Sequence, residues 1–390
     1  MNAEIRKGIH SIGSLDWDRR LFDELIPLPD GTSYNCYLVR GSQKTVLIDT
    51  VDPAKEGELV ANLEIHGLRA IDYVVAHHAE QDHSGSIPKV LEMYPGAKVL
   101  CTEKCKELLK DHLKVAEDRF MTVKDGQEVP LGGRTLTFIH TPWVHWPETM
   151  VTYLKEDEIL FSCDFFGSHL ATSSLYAADN PKVLQSAKRY YAEIMMPFRG
   201  IIRSNLEKLR PHKIGLIAPS HGPIHEKPQV IIDSYREWTS DAVKNEAVIA
   251  YVSMHGSTRQ MVDHLVEALM ERGVTVKPYN LPKTDIGELA MDLVDAATLV
   301  VATPTVLVGP HPAAVYAAFL TNALRPKLRH VAVIGSYGWG GKAVETLASM
   351  IGNLKAEVLE PVLAKGQPKE KDFKALDRLA DSIAERHKKL

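Results

Sequence analysis

The sequence predicts a two-domain α/β protein, with an α+β first domain over residues 1–245 and a doubly wound parallel sheet over residues 246–390. Three observations predict it. In the first part, short apolar strands end in loops that carry histidine or acid. Charged and small residues from Thr239 to Glu246 then make a polar boundary. Beyond it, strands and helices alternate, and three strands run into loops rich in Ser, Thr and Gly.

Taken in order, Ser33–Val39 and Thr45–Asp49 read as strands joined at Gly41-Ser42, a hairpin signal. Residues 54–67 read as a helix through Leu59 and Leu63. The apolar run Ile71–Ala76 is a buried strand, and it opens into His77-His78-Ala79-Glu80-Gln81-Asp82-His83. In extended chain, side chains two apart point the same way, which aligns His78, Glu80 and Asp82, with His83 at the following turn. Four potential ligands in six residues suit a metal, and the carboxylates shift the site toward iron or manganese and away from a zinc site. Glu103–Leu113 reads as a helix in which Cys105 packs.

Three later strand ends supply further candidates. Thr135–Ile139 leads to His140 and, in Trp143-Val144-His145-Trp146-Pro147, to His145. Ile159–Cys163 ends in Asp164, with His169 close behind. Ile217–Pro219 leads to Ser220-His221-Gly222, with a second candidate at His225.

In the second half, the strand Val248–Val252 runs into Ser253-Met254-His255-Gly256-Ser257-Thr258, and a helix follows to Glu271 with Gly273 as its stop. Hydroxyls and backbone N–H groups before a helix N-terminus suit a phosphate. Neither a Walker lysine nor G-x-G-x-x-G is present, so neither ATP nor a dinucleotide is indicated. Leu299–Ala302 leads to Thr303-Pro304-Thr305-Val306, and Val331–Ile334 to Gly335-Ser336-Tyr337-Gly338-Trp339-Gly340-Gly341. All three loops lie where open α/β sheets bind ligands. Tyr337 and Trp339 suit a flat aromatic ring, although Trp339 also reads as a core aromatic.

Composition narrows the classes. Hydrophobic residues at 45%, charged residues at 25%, a net charge of −4 and a pI near 6.5 point to a globular protein without nucleic acid or membrane as partner. The four cysteines contain no C-x-x-C pair, against both a cysteine-held iron module and a disulfide framework. Residues 1–7 lack a signal-peptide core, and no apolar run reaches spanning length, so the expected location is cytoplasmic.

The pattern His78-x-Glu80-x-Asp82-His83 resembles the metal loop of the metallo-β-lactamase superfamily, with glutamate where its zinc hydrolases usually carry histidine. That substitution marks the flavodiiron proteins (A-type flavoproteins), and residues 246–390 resemble a flavodoxin. The resemblance implies a metallo-β-lactamase-like αββα sandwich, then a flavodoxin-like domain binding FMN through residues 253–258, 303–306 and 336–341. It implies two irons, one on His78, Glu80 and His145, the other on Asp82, His83 and His221, with Asp164 bridging and His169 behind the ligands. It picks His145 over His140 and His221 over His225. The chain departs from the commoner pattern at His225, where tryptophan is usual. Asp49 matches the superfamily's first motif, with a structural role. The implied activity passes electrons from FMN to the diiron centre, reducing O2 to water and/or NO to N2O. Rubredoxin, reduced coenzyme F420 or another reductase is the implied donor. The implied assembly is a head-to-tail homodimer, or a tetramer as a dimer of dimers. Two rival readings are a metallo-hydrolase with a fused flavin domain and an electron carrier with an inactive metal site.

Overall fold

The computed structural model describes residues 2–390. They form two compact units, one made of the chain through Tyr190 together with Phe198–Thr239, the other of Tyr191–Pro197 and Ser240–Leu390.

In the first unit two sheets stack. The larger runs in chain order through Ala3–Arg6, Ile9–Ser11, Tyr37–Arg40, Thr45–Ile48, Tyr73–Val75, Lys98–Cys101 and Phe120–Thr122. It is antiparallel up to Thr45–Ile48 and parallel beyond. The smaller contains Glu128–Pro130, Thr135–His140, Met150–Leu154, Ile159–Cys163 and Leu216–Pro219, with only the last pair parallel. Side-chain alternation sorts the core. Val46 and Ile48 face Phe138 and Phe161 between the sheets. Leu47 and Val74 face the other way, onto Leu59, Leu63 and Val90 of the covering helices. The result is an αββα sandwich.

Two local expectations change. Ser33–Val39 is not one strand: Thr32–Tyr34 pairs with Ser14–Asp16, while Tyr37–Arg40 joins the large sheet. The break falls at Asn35, whose buried amide donates to the carbonyls of Pro219 (2.8 Å) and Gly222 (2.6 Å), fastening this chain to the loop around His221. The extended run after Tyr73–Val75 also stops at Glu80. A short helix, Gln81–Ser84, begins there, with the N–H groups of His83 and Ser84 on the Glu80 carbonyl. Asp82 therefore leaves the alignment with His78 and Glu80.

The second unit is a parallel sheet in the order Thr275–Asn280, Lys244–Tyr251, Ala296–Val306, His330–Tyr337, and then Glu357–Val358 with Val362–Lys365. Numbered along the chain this is 2-1-3-4-5, the flavodoxin-like order. One face packs on Ser257–Glu271 and Glu370–His387, the other on Ile286–Leu293, Pro312–Leu324 and Ala343–Met350. Thr303–Val306, expected as a loop, continues its strand and turns back through Leu307-Val308 to Gly309–Pro310. Among the described residues, no helix is long and apolar enough to cross a membrane.

Candidate functional site

The four strand ends of the first unit converge on two groups of side chains. His78, Glu80, His145 and Asp164 form one; Asp82, His83 and His221 form the other. In the first, His78 Nε2 is 2.9 Å from Glu80 Oε2 and 3.6 Å from Asp164 Oδ2. His145 Nε2 is 3.2 Å and 3.5 Å from the same two oxygens. In the second, Asp82 Oδ1 is 3.4 Å from His83 Nε2, and Asp82 Oδ2 is 3.1 Å from His221 Nε2. Asp164 Oδ1 stands 2.9 Å from His83 Nε2 and 3.5 Å from His221 Nε2. Each oxygen of Asp164 thus faces a different group.

The helix start at Gln81 explains the division. His78 and Glu80 leave the strand end on one side, and the first helical turn carries Asp82 and His83 to the other.

Chemically the donor set fits two cations. Glu80, Asp82 and Asp164 are buried together, which is costly without compensating charge. Among the described residues, both oxygens of Asp82, both of Asp164 and Nε2 of His83 lack a hydrogen-bond partner, despite their short separations. Atoms so close yet not bonded to each other are arranged around points between them. The Cys163 sulfur lies within 4.8 Å of donor atoms of His83 and Asp164, but burial, then the charge of Asp164, holds its thiol well above the usual range, and the remaining nitrogen and carboxylate donors suit iron.

The group's own electrostatics is strained in the same sense. Burial opposes charge on His78, but hydrogen bonds to Glu148 and Glu80 and the charge of Asp164 hold its pKa well above the usual value. His83, also opposed by burial, is raised to about 10 by Asp82 and Asp164. Asp164 and Glu80 are depressed: burial opposes this, and the neighbouring histidines outweigh it. Cations would take the place of those protons.

Several residues support the groups from behind. His221 Nδ1–H donates to the Ser33 carbonyl at 2.6 Å. His169 packs against the His221 ring at 4.7 Å, with Nδ1 2.9 Å from Thr32 Oγ1. Burial, then the charge of His221, keeps its pKa well below the usual range. His225 lies in neither group; its Nε2–H donates to the Phe166 carbonyl at 3.0 Å. Burial pushes it down to about 4, against that bond. His140 likewise stays at its strand end, 3.2 Å from the Val123 carbonyl. Sequence reasoning missed Glu148, whose side chain is fully buried and bonded to His78 at 2.8 Å. A lone acid after proline reads as surface, and no local signal announces its burial.

In the second unit the three loops meet at one edge. Gly256 has φ +90° at the N-terminus of Ser257–Glu271, and Arg259 N–H donates to Ser253 Oγ. Thr258 Oγ1 is 3.0 Å from Ser336 Oγ, linking the first loop to the third. A Cβ on Gly335 would fall 2.1 Å from the Thr303 carbonyl oxygen, so the second and third approach closely only because that residue is glycine. Gly341 has φ +157°, and a Cβ there would lie 2.5 Å from Thr305 Cγ2. Trp339 is 90% exposed and belongs to no core. Met254 and His255 are also exposed. Hydroxyls, free backbone and an exposed aromatic suit a phosphorylated flat ring.

An αββα sandwich with paired metal-type clusters, joined to a flavodoxin-like unit, defines a class of two-domain flavin- and metal-type oxidoreductases. Residues 32–222 match the family described as ODP family beta lactamase, and residues 249–376 match the flavodoxin family. The chain is 37% identical to a nitric oxide reductase of Moorella thermoacetica, over 98% of both chains. Rubredoxin oxygen:oxidoreductase from Desulfovibrio gigas superposes with a TM-score of 0.95 at 30% identity, over 100% of this chain and 99% of that one. The flavodiiron protein from Giardia intestinalis gives 0.93 at 27%, over 99% and 97%. The chain belongs to the flavodiiron protein family, whose members are oxidoreductases.

Proposed function

We propose that residues 246–390 hold one FMN, that residues 1–245 hold two irons, and that electrons pass from flavin to metal to reduce O2 to water and/or NO to N2O. His78, Glu80 and His145 would hold one iron, Asp82, His83 and His221 the other, with Asp164 shared. The supporting observation is the pair of groups that meet across Asp164, with the buried oxygens of Asp82 and Asp164 lacking hydrogen-bond partners among the described residues. When bound, the metals supply adjacent one-electron reductants and the flavin a two-electron store.

The chain's own residues supply the setting. Their burial keeps water from the reacting atoms, and the outer hydrogen bonds of His78 and His221 fix which ring nitrogen faces inward. Ser253, Ser257 and Thr258, with the helix N-terminus, would take the phosphate, and Tyr337 to Gly341 would frame the ring. Leu307 and Val308 at the adjoining hairpin tip are exposed, as is Trp339. An apolar rim of this kind favours a second copy, in a head-to-tail dimer or a dimer of dimers. The electron donor would be rubredoxin, reduced F420 or another reductase. A cytoplasmic setting accords with the four unpaired, buried cysteines.

The test is elemental and flavin analysis of protein from iron-replete cells, followed by O2 and NO consumption by the photoreduced protein. Two irons and one FMN per chain, with consumption of either gas, is expected. Zinc in place of iron would return the reading to a hydrolase, and a loaded protein inert to both gases would leave an electron carrier.

A further inference from the structure

The two metal-type groups differ in what stands behind them. Glu148 Oε1 is 2.8 Å from His78 Nδ1 and also accepts the Ala79 N–H at 3.1 Å. Both the His78 and Glu148 side chains have 0% exposure. Glu148 is held in place by its main chain, where Thr102 Oγ1 donates to its carbonyl at 3.0 Å. Among the described residues the second group has no equivalent. His221 Nδ1 meets a neutral carbonyl, that of Ser33, and His83 Nδ1 has no hydrogen-bond partner.

A carboxylate behind an imidazole draws its outer proton away and makes the inner nitrogen a stronger donor. In a dry site that charge is poorly screened. We infer that Glu148 is a positioning residue that makes the two metal positions unlike, acting through His78 so that the position of His78, Glu80 and His145 is the harder one to reduce. This rests on the diiron reading. It goes beyond that reading because Glu148 is not a ligand and the ligand set alone does not order the two positions. With the positions so ordered, the first electron settles at Asp82, His83 and His221, and a one-electron-reduced state becomes separable from the fully reduced one.

The discriminating variant is Glu148→Gln, which keeps size and hydrogen bonding but removes the charge. Iron content, a redox titration followed by electron paramagnetic resonance, and Mössbauer spectra of the fully reduced protein are measured together. The expected result is two irons per chain, a more positive second reduction step, at least a twofold smaller maximum of the mixed-valent signal, and ferrous doublets that converge. Two irons with titration and doublets unchanged overturn the proposal. Should Glu148→Gln lose iron, Glu148→Asp decides. Recovery of two irons and the wild-type titration by the shorter carboxylate supports the role of the charge; loss of iron there too makes Glu148 merely structural and overturns it. Wild-type protein lacking two irons would instead refute the diiron reading itself, so the two failures are distinguishable.

Discussion

Asp49 accepts two hydrogen bonds from His77, one from its backbone N–H at 2.9 Å and one from its ring Nδ1 at 2.7 Å. The same carboxylate accepts from Ser220 Oγ at 3.3 Å, and His77 Nε2 reaches Thr152 Oγ1 at 2.7 Å. One buried acid thereby ties the residue before His78 to the residue before His221. Asp49→Ala would leave His77 and Ser220 buried without that partner. It is expected to lower stability by about 3 kcal/mol or more in urea unfolding. Both proposed metal positions should lose occupancy, read by iron analysis, although Asp49 itself is in neither of those two groups.

His221 and His225 separate ligation from packing. His221→Ala should reduce bound iron toward one per chain and abolish gas consumption. His225→Ala should retain two irons, with a stability loss of roughly 1–3 kcal/mol for the buried bond to Phe166. The reverse pattern of iron loss would reassign the ligand.

These assignments show how much could be read from the chain. The strand–helix alternation, the helix from residue 257 and the four strand ends that carry the candidate side chains have strong local patterns, and the structure places these elements close to the expected bounds. The division of His78-x-Glu80 from Asp82-His83 was illegible, because it depends on a helix of only four residues starting at Gln81. Glu148 was illegible for another reason: its burial comes from partners in distant parts of the chain. Thr303–Val306 misled because Thr and Pro after an apolar run look like a loop, whereas pairing with both His330–Tyr337 and Gly309–Pro310 extends the strand. Periodicity reports faces of elements; it does not report tertiary partners.

Acid should destabilise the second unit through His387. Its ring is buried between Thr298 Oγ1 (2.7 Å) and Asn245 Oδ1 (2.8 Å), and burial, then the nearby His330, pushes its pKa down to about 4. The folded value lies below the unfolded one of about 6.5, so the unfolded chain binds the proton first. The associated stability is fully present above pH 6.5 and is lost as pH falls toward 4. The loss is expected to reach about 2–3 kcal/mol. His387→Gln should flatten this part of the pH dependence in urea titrations at pH 7 and pH 4.5. An unchanged slope would remove His387 from the account.

Electron transfer between chains can be tested without knowing the donor. The proposed metal ligands occupy residues 78–221 and the proposed flavin loops residues 253–341, in separate units. The exposed Leu307, Val308 and Trp339 beside the flavin loops offer an apolar rim for a partner to cover. Two parents are made. One carries Asp82→Ala and His83→Ala, emptying the metal site while keeping the flavin; the other carries Ser253→Ala, Ser257→Ala and Thr258→Val, losing the flavin while keeping the metal. Each homodimer should be inactive. If the flavin of one chain serves the metal site of the other, a mixed dimer contains one complete pair of the two and should show about half the wild-type turnover per dimer. Trp339→Ser should weaken the dimer, measured by analytical ultracentrifugation, and lower turnover in parallel on dilution. Mixed dimers that retain both intact cofactor sites yet stay inactive would place transfer within a single chain, since in neither subunit would that route find a flavin and a metal site together.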